Sequence, residues 1–231
     1  MNSVLILFLG IVIVICLVTL AVYLTSDYLV QNSASLNVST TNKNTFDPSS
    51  FDSPGSSRYY YEGWFFITGN QNANAENILF NREKDFVVTL NGSTLNLYVN
   101  ANSGEKSPEN TFKANGLSPL ISVPQFPFQK WAHLVINVDA MSVDLYIDGK
   151  FVQNKISPTT INSTATTAIT YGNKYTIGHL AQFRRPAENI NPQGVWNHYL
   201  RGSGQSQSLT DYHLNAVVTK NGRNTMNKRV V

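Results

Sequence analysis

Two patterns of apolar residues divide the chain. Val4 to Leu24 (VLILFLGIVIVICLVTLAVYL) is an unbroken apolar run without a charged residue. From Tyr59 onward, short apolar stretches alternate with polar positions and are punctuated by Asn-Gly and Asp-Gly pairs. As a helix, the first run of about 21 residues spans roughly 31 Å, close to the hydrocarbon thickness of a bilayer. It predicts one transmembrane helix within residues 1–25, bounded by Val4 and Leu24. The run is longer than a signal-peptide core, no Lys or Arg precedes it, and AVYLTSD offers no small-residue cleavage site, which favours an anchor over a cleaved signal. Orientation is weakly specified, because Lys43 is the first cation on the long side.

Residues 26–57 are rich in Ser, Asn and Thr, with Pro48 and Pro54, and read as a tether. Phe46 and Phe51 are large enough to dock this segment onto the domain instead. Residues 58–219 follow the period of β-structure. YYYEGWFFIT is an aromatic strand, and Leu95, Leu97 and Val99 alternate with Asn96, Tyr98 and Asn100. Asn91-Gly92 predicts a type I′ hairpin turn, and Asp148-Gly149 a second tight turn. Trp131 starts a strand and is expected to fill one end of the core. Leu209 to Thr219 reads as the last strand, followed by a basic tail at 220–231. One helix is signalled: Asn191 caps it, Pro192 suits its first position, Val195, Trp196, Tyr199 and Leu200 form an apolar stripe, and Gly202 ends it. Many short strands and one short helix predict a mainly β protein, an antiparallel β-sandwich of jelly-roll type.

Composition narrows the chemistry. Charged residues are 13% of the chain, about half the usual share, so Asn, Ser and Thr supply much of the polar surface. A net charge of +3 is too small to argue for nucleic acid as a partner. The single cysteine, Cys16, lies inside the apolar run, which leaves the β-domain without a disulfide, a thiol nucleophile or a cysteine-based metal site.

The stretch WAHLVINV followed by VDLYIDGKFV resembles the central strands of laminin-G-like domains, within the concanavalin A-like lectin and glucanase superfamily. FPFQKW, VDLYIDGK, YTIG and INPQGVWNHYLRGSG together resemble the laminin-G-like proteins of large nucleocytoplasmic DNA viruses, in which a single N-terminal membrane span often precedes the jelly roll. The resemblance covers roughly Tyr59 to Val218. HLAQFRRPAEN departs from the usual Gly-rich strand, and Arg184-Arg185-Pro186 there reads as an exposed basic turn.

Enzymes of that superfamily place two or three carboxylates on one strand. The nearest approaches here, Glu83 with Asp85 and Asp144 with Asp148, lack that arrangement, so no catalytic residue is assigned and a non-enzymatic protein is expected. Asp139, Asp148 and Asn154 are candidate calcium donors without a dense acidic loop, and His133, His179, His198 and His213 lack metal-ligand spacing, so no cofactor is expected. Asn37, Asn91 and Asn162 sit in N-glycosylation triplets, which matter only if the domain faces a lumen.

Two functions follow. The first is a membrane-anchored structural protein, a minor capsid or virion protein that links an internal membrane to the capsid. Its partners are the lipid bilayer, reached through the N-terminal helix, and other capsid or membrane proteins. Arg184, Arg185, Lys220, Arg223, Lys228 and Arg229 are its candidate partner contacts. The second is a membrane-displayed lectin that stacks a glycan on Tyr171, Tyr175 or Phe126.

Overall fold

The computed structural model describes residues 8–18, 34–36, 44–70, 76–100, 111–112, 116–161, 165–203, 215–220 and 223–229. Two antiparallel sheets pack face to face. The first runs β1 (Ala34–Ser35), β13 (Thr176–Arg184), β3 (Arg58–Asn70), β9 (Trp131–Asp139), β10 (Ser142–Ile147) and β11 (Lys150–Ile156). The second runs β2 (Asn44–Phe46), β12 (Ile169–Tyr171), β4 (Glu76–Arg82), β5 (Phe86–Asn91), β6 (Thr94–Val99) and β8 (Ile121–Val123), with β7 (Thr111–Phe112) beside β4. A helix α1 lies at 8–18, and α2 spans Pro192–Arg201.

The core follows from strand alternation. Tyr59, Tyr61, Phe65 and Ile67 of β3 face Phe80, Phe86, Val88, Leu95 and Leu97 of the second sheet. Gly63 occupies an inward position because a Cβ there would come within 3.0 Å of the Phe183 ring. From Tyr60 to Phe66 of β3, and at their partners in β9, the outward residues are apolar or buried as well, since α2 covers that side: Tyr60, Val135 and Tyr146 pack with Ile190 and Val195. Two covered faces explain why β3 and β9 show no clean polar alternation in the sequence. Trp131 therefore lies on the outer face against Phe66, 5.5 Å between ring centroids, instead of filling the core end.

Several expectations change. The segment read as a tether contributes β1, β2 and a 3-10 turn at Pro48–Ser50, and buries Leu36 and Phe51 in the core, so 34–36 and 44–57 belong to the sandwich. The first hairpin pairs Asn91 with Thr94, which makes Gly92-Ser93 its loop. Only Gly92 has positive φ, the pattern of a type II′ turn, so Asn91-Gly92 does not form the expected type I′ turn. Asp148 and Gly149 do both have positive φ. The expected last strand of the sandwich joins neither sheet; β14 (Asn215–Lys220) pairs with β15 (Arg223–Arg229), which turns the basic tail into a hairpin strand. Among the described residues no helix is long and apolar enough to cross a membrane; Val4 and Leu24 lie outside them.

Gly178 sits at a register shift between β13 and β3, where a Cβ would lie 2.1 Å from the Phe66 carbonyl oxygen. Gly178→Ala must move backbone, and a loss of about 1–3 kcal/mol is expected in chemical denaturation.

Candidate functional site

The arginines expected at an exposed turn are buried. Arg184 lies on β13 opposite Glu62 of β3, and its Nε donates to Glu62 Oε2 at 2.7 Å. His133 Nε2 lies 2.8 Å from Glu62 Oε1, and His198 of α2 approaches Oε2 at 3.2 Å. Burial alone would raise the Glu62 carboxyl. Hydrogen bonds from both histidines and the Arg184 charge outweigh it and hold the group well below the usual carboxylate range. This cluster sits between the first sheet and α2 and fixes the helix, with Trp64 stacked on Tyr199 at 5.7 Å.

Arg185 turns the other way. Its guanidinium lies 4.1 Å from the centre of the Tyr59 ring, beside a second buried cluster at one end of the core. There the Tyr59 and Tyr61 hydroxyls donate to Asp85, and Arg82 Nη1 lies 3.4 Å from Asp85 Oδ2. Burial pushes the Asp85 carboxyl up to about 6, against the opposing pull of Tyr59, Arg82 and Tyr61. Arginines 184 and 185 are thus internal structural charges: Arg184 meets Glu62 of β3, and Arg185 meets the Tyr59 ring and the carbonyl oxygens of Ser53 and Ser56.

The remaining sequence candidates do not converge. Glu83 is exposed while Asp85 is buried. Asp144 accepts hydrogen bonds from Asn137 and Asn154, and Asp148 pairs with Lys130 at 2.9 Å. Asp139 lies at the opposite end of the β9–β10 hairpin from Asp148, bonded to Arg58, so the candidate calcium donors are not gathered. Phe126 and Tyr171 are core residues, which leaves Tyr175 as the partly exposed aromatic of the three. Asn91 is exposed at its turn; Asn37 and Asn162 lie outside the described residues. Lys220 lies on β14, and Arg223, Lys228 and Arg229 lie on β15.

The outer face of the second sheet carries a polar row that pairing alone could not reveal. Glu76 accepts from Thr89 (3.1 Å), Asn96 (3.3 Å) and Tyr98 (2.7 Å), and Ser122 donates to Asn96 at 2.8 Å. Thr89, Asn96 and Tyr98 are buried, and burial with the Glu76 charge raises the Tyr98 hydroxyl. Its polar atoms satisfy one another.

An open surface lies at the far edge of the first sheet. Among the described residues β11 pairs with β10 and with no other strand, so one side of its backbone is unpaired there. Phe151 is 57% and Ile156 70% exposed, with Val152 between them. Met141 is exposed beside Ile156, where Ser157 N donates to the Met141 carbonyl at 2.8 Å. α2 packs next to β11, and Gly149 makes room for it: a Cβ there would come within 2.9 Å of Trp196 and Tyr199. The helix turns Val195 inward and leaves Trp196 (38%) and Leu200 (64%) outside, although all belong to the apolar stripe read from sequence. Phe151 touches Tyr146, a member of the cluster beneath α2, at 5.6 Å between centroids. The edge strand and the helix are thus adjoining elements that each leave apolar side chains exposed.

A family model described as the concanavalin A-like lectin/glucanases superfamily, Laminin_G_3, matches residues 64–185. No curated protein matches. Among solved structures, the botulinum neurotoxin type G receptor binding domain is similar with a TM-score of 0.53 and 14% identity, over 73% of this chain and 42% of that one. The botulinum neurotoxin serotype D binding domain is similar with a TM-score of 0.52 and 12% identity, over 74% and 42%. This chain spans less than half the length of either structure, and at such identities the likeness is one of fold. The family match, in contrast, takes in more than half of the chain and runs from β3 through β13, across the strands that build both sheets, and on that ground the protein belongs to the Laminin_G_3 family of the concanavalin A-like lectin/glucanases superfamily.

Proposed function

We propose that this protein is a non-enzymatic, membrane-anchored linker. The apolar run from Val4 to Leu24 holds it in a bilayer, and the sandwich binds a protein partner at the β11–α2 edge. The viral resemblance of its motifs suggests the setting, a virion in which the sandwich joins an internal membrane to capsid protein. The observation that carries the reading is the exposed strip of Phe151, Ile156, Trp196 and Leu200 on an open sheet edge. Isolated exposed apolar residues are ordinary, whereas several on two adjoining elements beside an unpaired strand are characteristic of an interaction site. The polar clusters favour this reading too, since their carboxylates are spent on neighbouring side chains.

The experiment is site-specific photocrosslinking with the full chain in its native membranes. A crosslinker at position 151 is expected to give a discrete protein adduct, and one at the exposed turn residue Lys84 none. Equal labelling at both positions, or no protein adduct at 151, overturns the reading.

The lectin reading keeps one observation, the partly exposed Tyr175 with Lys174 Nζ 5.5 Å from its ring centre. It is joined by the fold likeness to a receptor binding domain. Glycan-array binding that Tyr175→Ala removes would favour it.

A further inference from the structure

We propose that β11 receives an extended, acidic segment of the partner protein, which adds to the six-stranded sheet as another strand. This deepens the linker reading and rests on it. Strand addition draws affinity from main-chain hydrogen bonds along an open edge and selectivity from the side chains that flank it. β11 is 7 residues long, longer than a typical edge strand that a protein protects from pairing by brevity. Helix α2 covers the outer face of its neighbours, and among the described residues no element pairs with the strand's free side, with Trp196 and Leu200 as exposed apolar residues on the adjoining helix.

Charge selects the occupant. Lys150 and Lys155 on β11 and Arg201 at the end of α2 are exposed, and none forms an ion pair among the described residues. The carboxylates nearest in sequence are already engaged, Asp144 by two asparagines and Asp148 by Lys130. The strip is therefore apolar and bordered by three cations that form no ion pair among the described residues. A second copy pairing edge to edge would bring four lysines together. The chain's own hairpin fits no better, since residues 215–231 carry Lys220, Arg223, Lys228 and Arg229 and no acid. A foreign strand with Val- or Thr-like side chains between Asp or Glu residues satisfies the backbone, the exposed apolar residues and the charge together.

β11 also contains a means of testing the mode. Its register against β10 shifts between Leu145 and Tyr146, which leaves Val152 as an extra, unmatched residue. Proline is tolerated at such a bulge, so Val152→Pro is expected to remove a backbone donor from β11 with the least disturbance to the ladder with β10.

The test uses the full chain in a zwitterionic nanodisc and two synthetic peptides of about nine residues, with the same Val/Thr core but flanked by Glu or by Lys. Amide hydrogen exchange at 150–156 and affinity are read together. The Glu peptide is expected to slow exchange in β11 and to bind at least about tenfold more tightly than the Lys peptide. Lys150→Glu with Lys155→Glu is expected to reverse that preference, and Val152→Pro to abolish protection. Equal binding of the two peptides, or protection that survives Val152→Pro, overturns the proposal. So does protection of β11 by anionic vesicles or by self-association without peptide. If crosslinking at 151 yields a protein adduct while the Glu peptide fails, the linker reading stands and only strand addition by an acidic segment falls.

Discussion

Asp85→Ala is expected to destabilise the domain by about 3–5 kcal/mol, read as a fall in the urea midpoint at pH 7. The substitution takes the Asp85 carboxylate away from the fully buried Arg82 guanidinium, while the backbone carbonyls of Pro54 and Thr167 still accept from it. It also removes the acceptor shared by the Tyr59 and Tyr61 hydroxyls, both inside the core. Breaking one partner of a buried pair is far more damaging than replacing the pair, because the surviving charge remains desolvated. The pH dependence carries the opposite sign from an ordinary paired carboxylate. Burial raises Asp85 from 3.8 to about 6, so the folded chain keeps its proton after the unfolded chain has lost it. Between about pH 4 and 6 this residue therefore subtracts stability as pH rises, by on the order of 1 kcal/mol per pH unit. Asp85→Asn cannot titrate, and its stability curve is expected to lack that fall. A wild-type curve that does not fall relative to that of Asp85→Asn across the window would contradict this account of Asp85.

What the sequence discloses depends on the distance between partners. The cap of α2 is local: Asn191 Oδ1 accepts from Gly194 N at 2.7 Å, and Pro192 follows it directly, so both were readable. The period-two strands and the jelly-roll class were readable for the same reason. Arg184 was not, because its carboxylate partner Glu62 lies 122 residues away and only the β3–β13 pairing joins them. β1 and β2 are not legible in the sequence, since strands of 2 and 3 residues are too short to show a period. The stripe on α2 was visible, but its division was hidden. His198 reaches Glu62 and sets the rotation of the helix, which seats Val195 on the sheet and leaves Trp196 and Leu200 outside. The candidate surface is thus made of residues legible as apolar and illegible as exposed.

Glu62→Ala is expected to produce the second large loss, about 3–5 kcal/mol at pH 7, together with loosening of α2. Arg184, His133 and His198 all converge on this carboxylate from three different elements, β13, β9 and α2. Without it, Arg184 keeps a contact to His198 at 2.7 Å and its position 5.4 Å from the Tyr60 ring centre, neither of which carries negative charge. The sign of the pH effect follows from the direction of the shift. Glu62 is held below its ordinary value of 4.5, so the folded chain stays ionised where the unfolded chain takes up a proton. Its contribution is complete above about pH 4.5 and is lost as pH falls toward the depressed folded value. Glu62→Gln keeps the shape and cannot titrate, so that acid-side loss is expected to disappear from its denaturation profile while stability at pH 7 stays low. Hydrogen exchange separates this role from mere core packing. Amides of 192–201 are expected to exchange faster in Glu62→Gln, while those of β5 and β6, on the other sheet, change only with global stability. Because α2 supplies Trp196 and Leu200 to the open edge, the same variant is expected to weaken crosslinking at position 151 without altering a residue of that surface. Undiminished crosslinking with a demonstrably loosened helix would show that β11 binds its partner without α2.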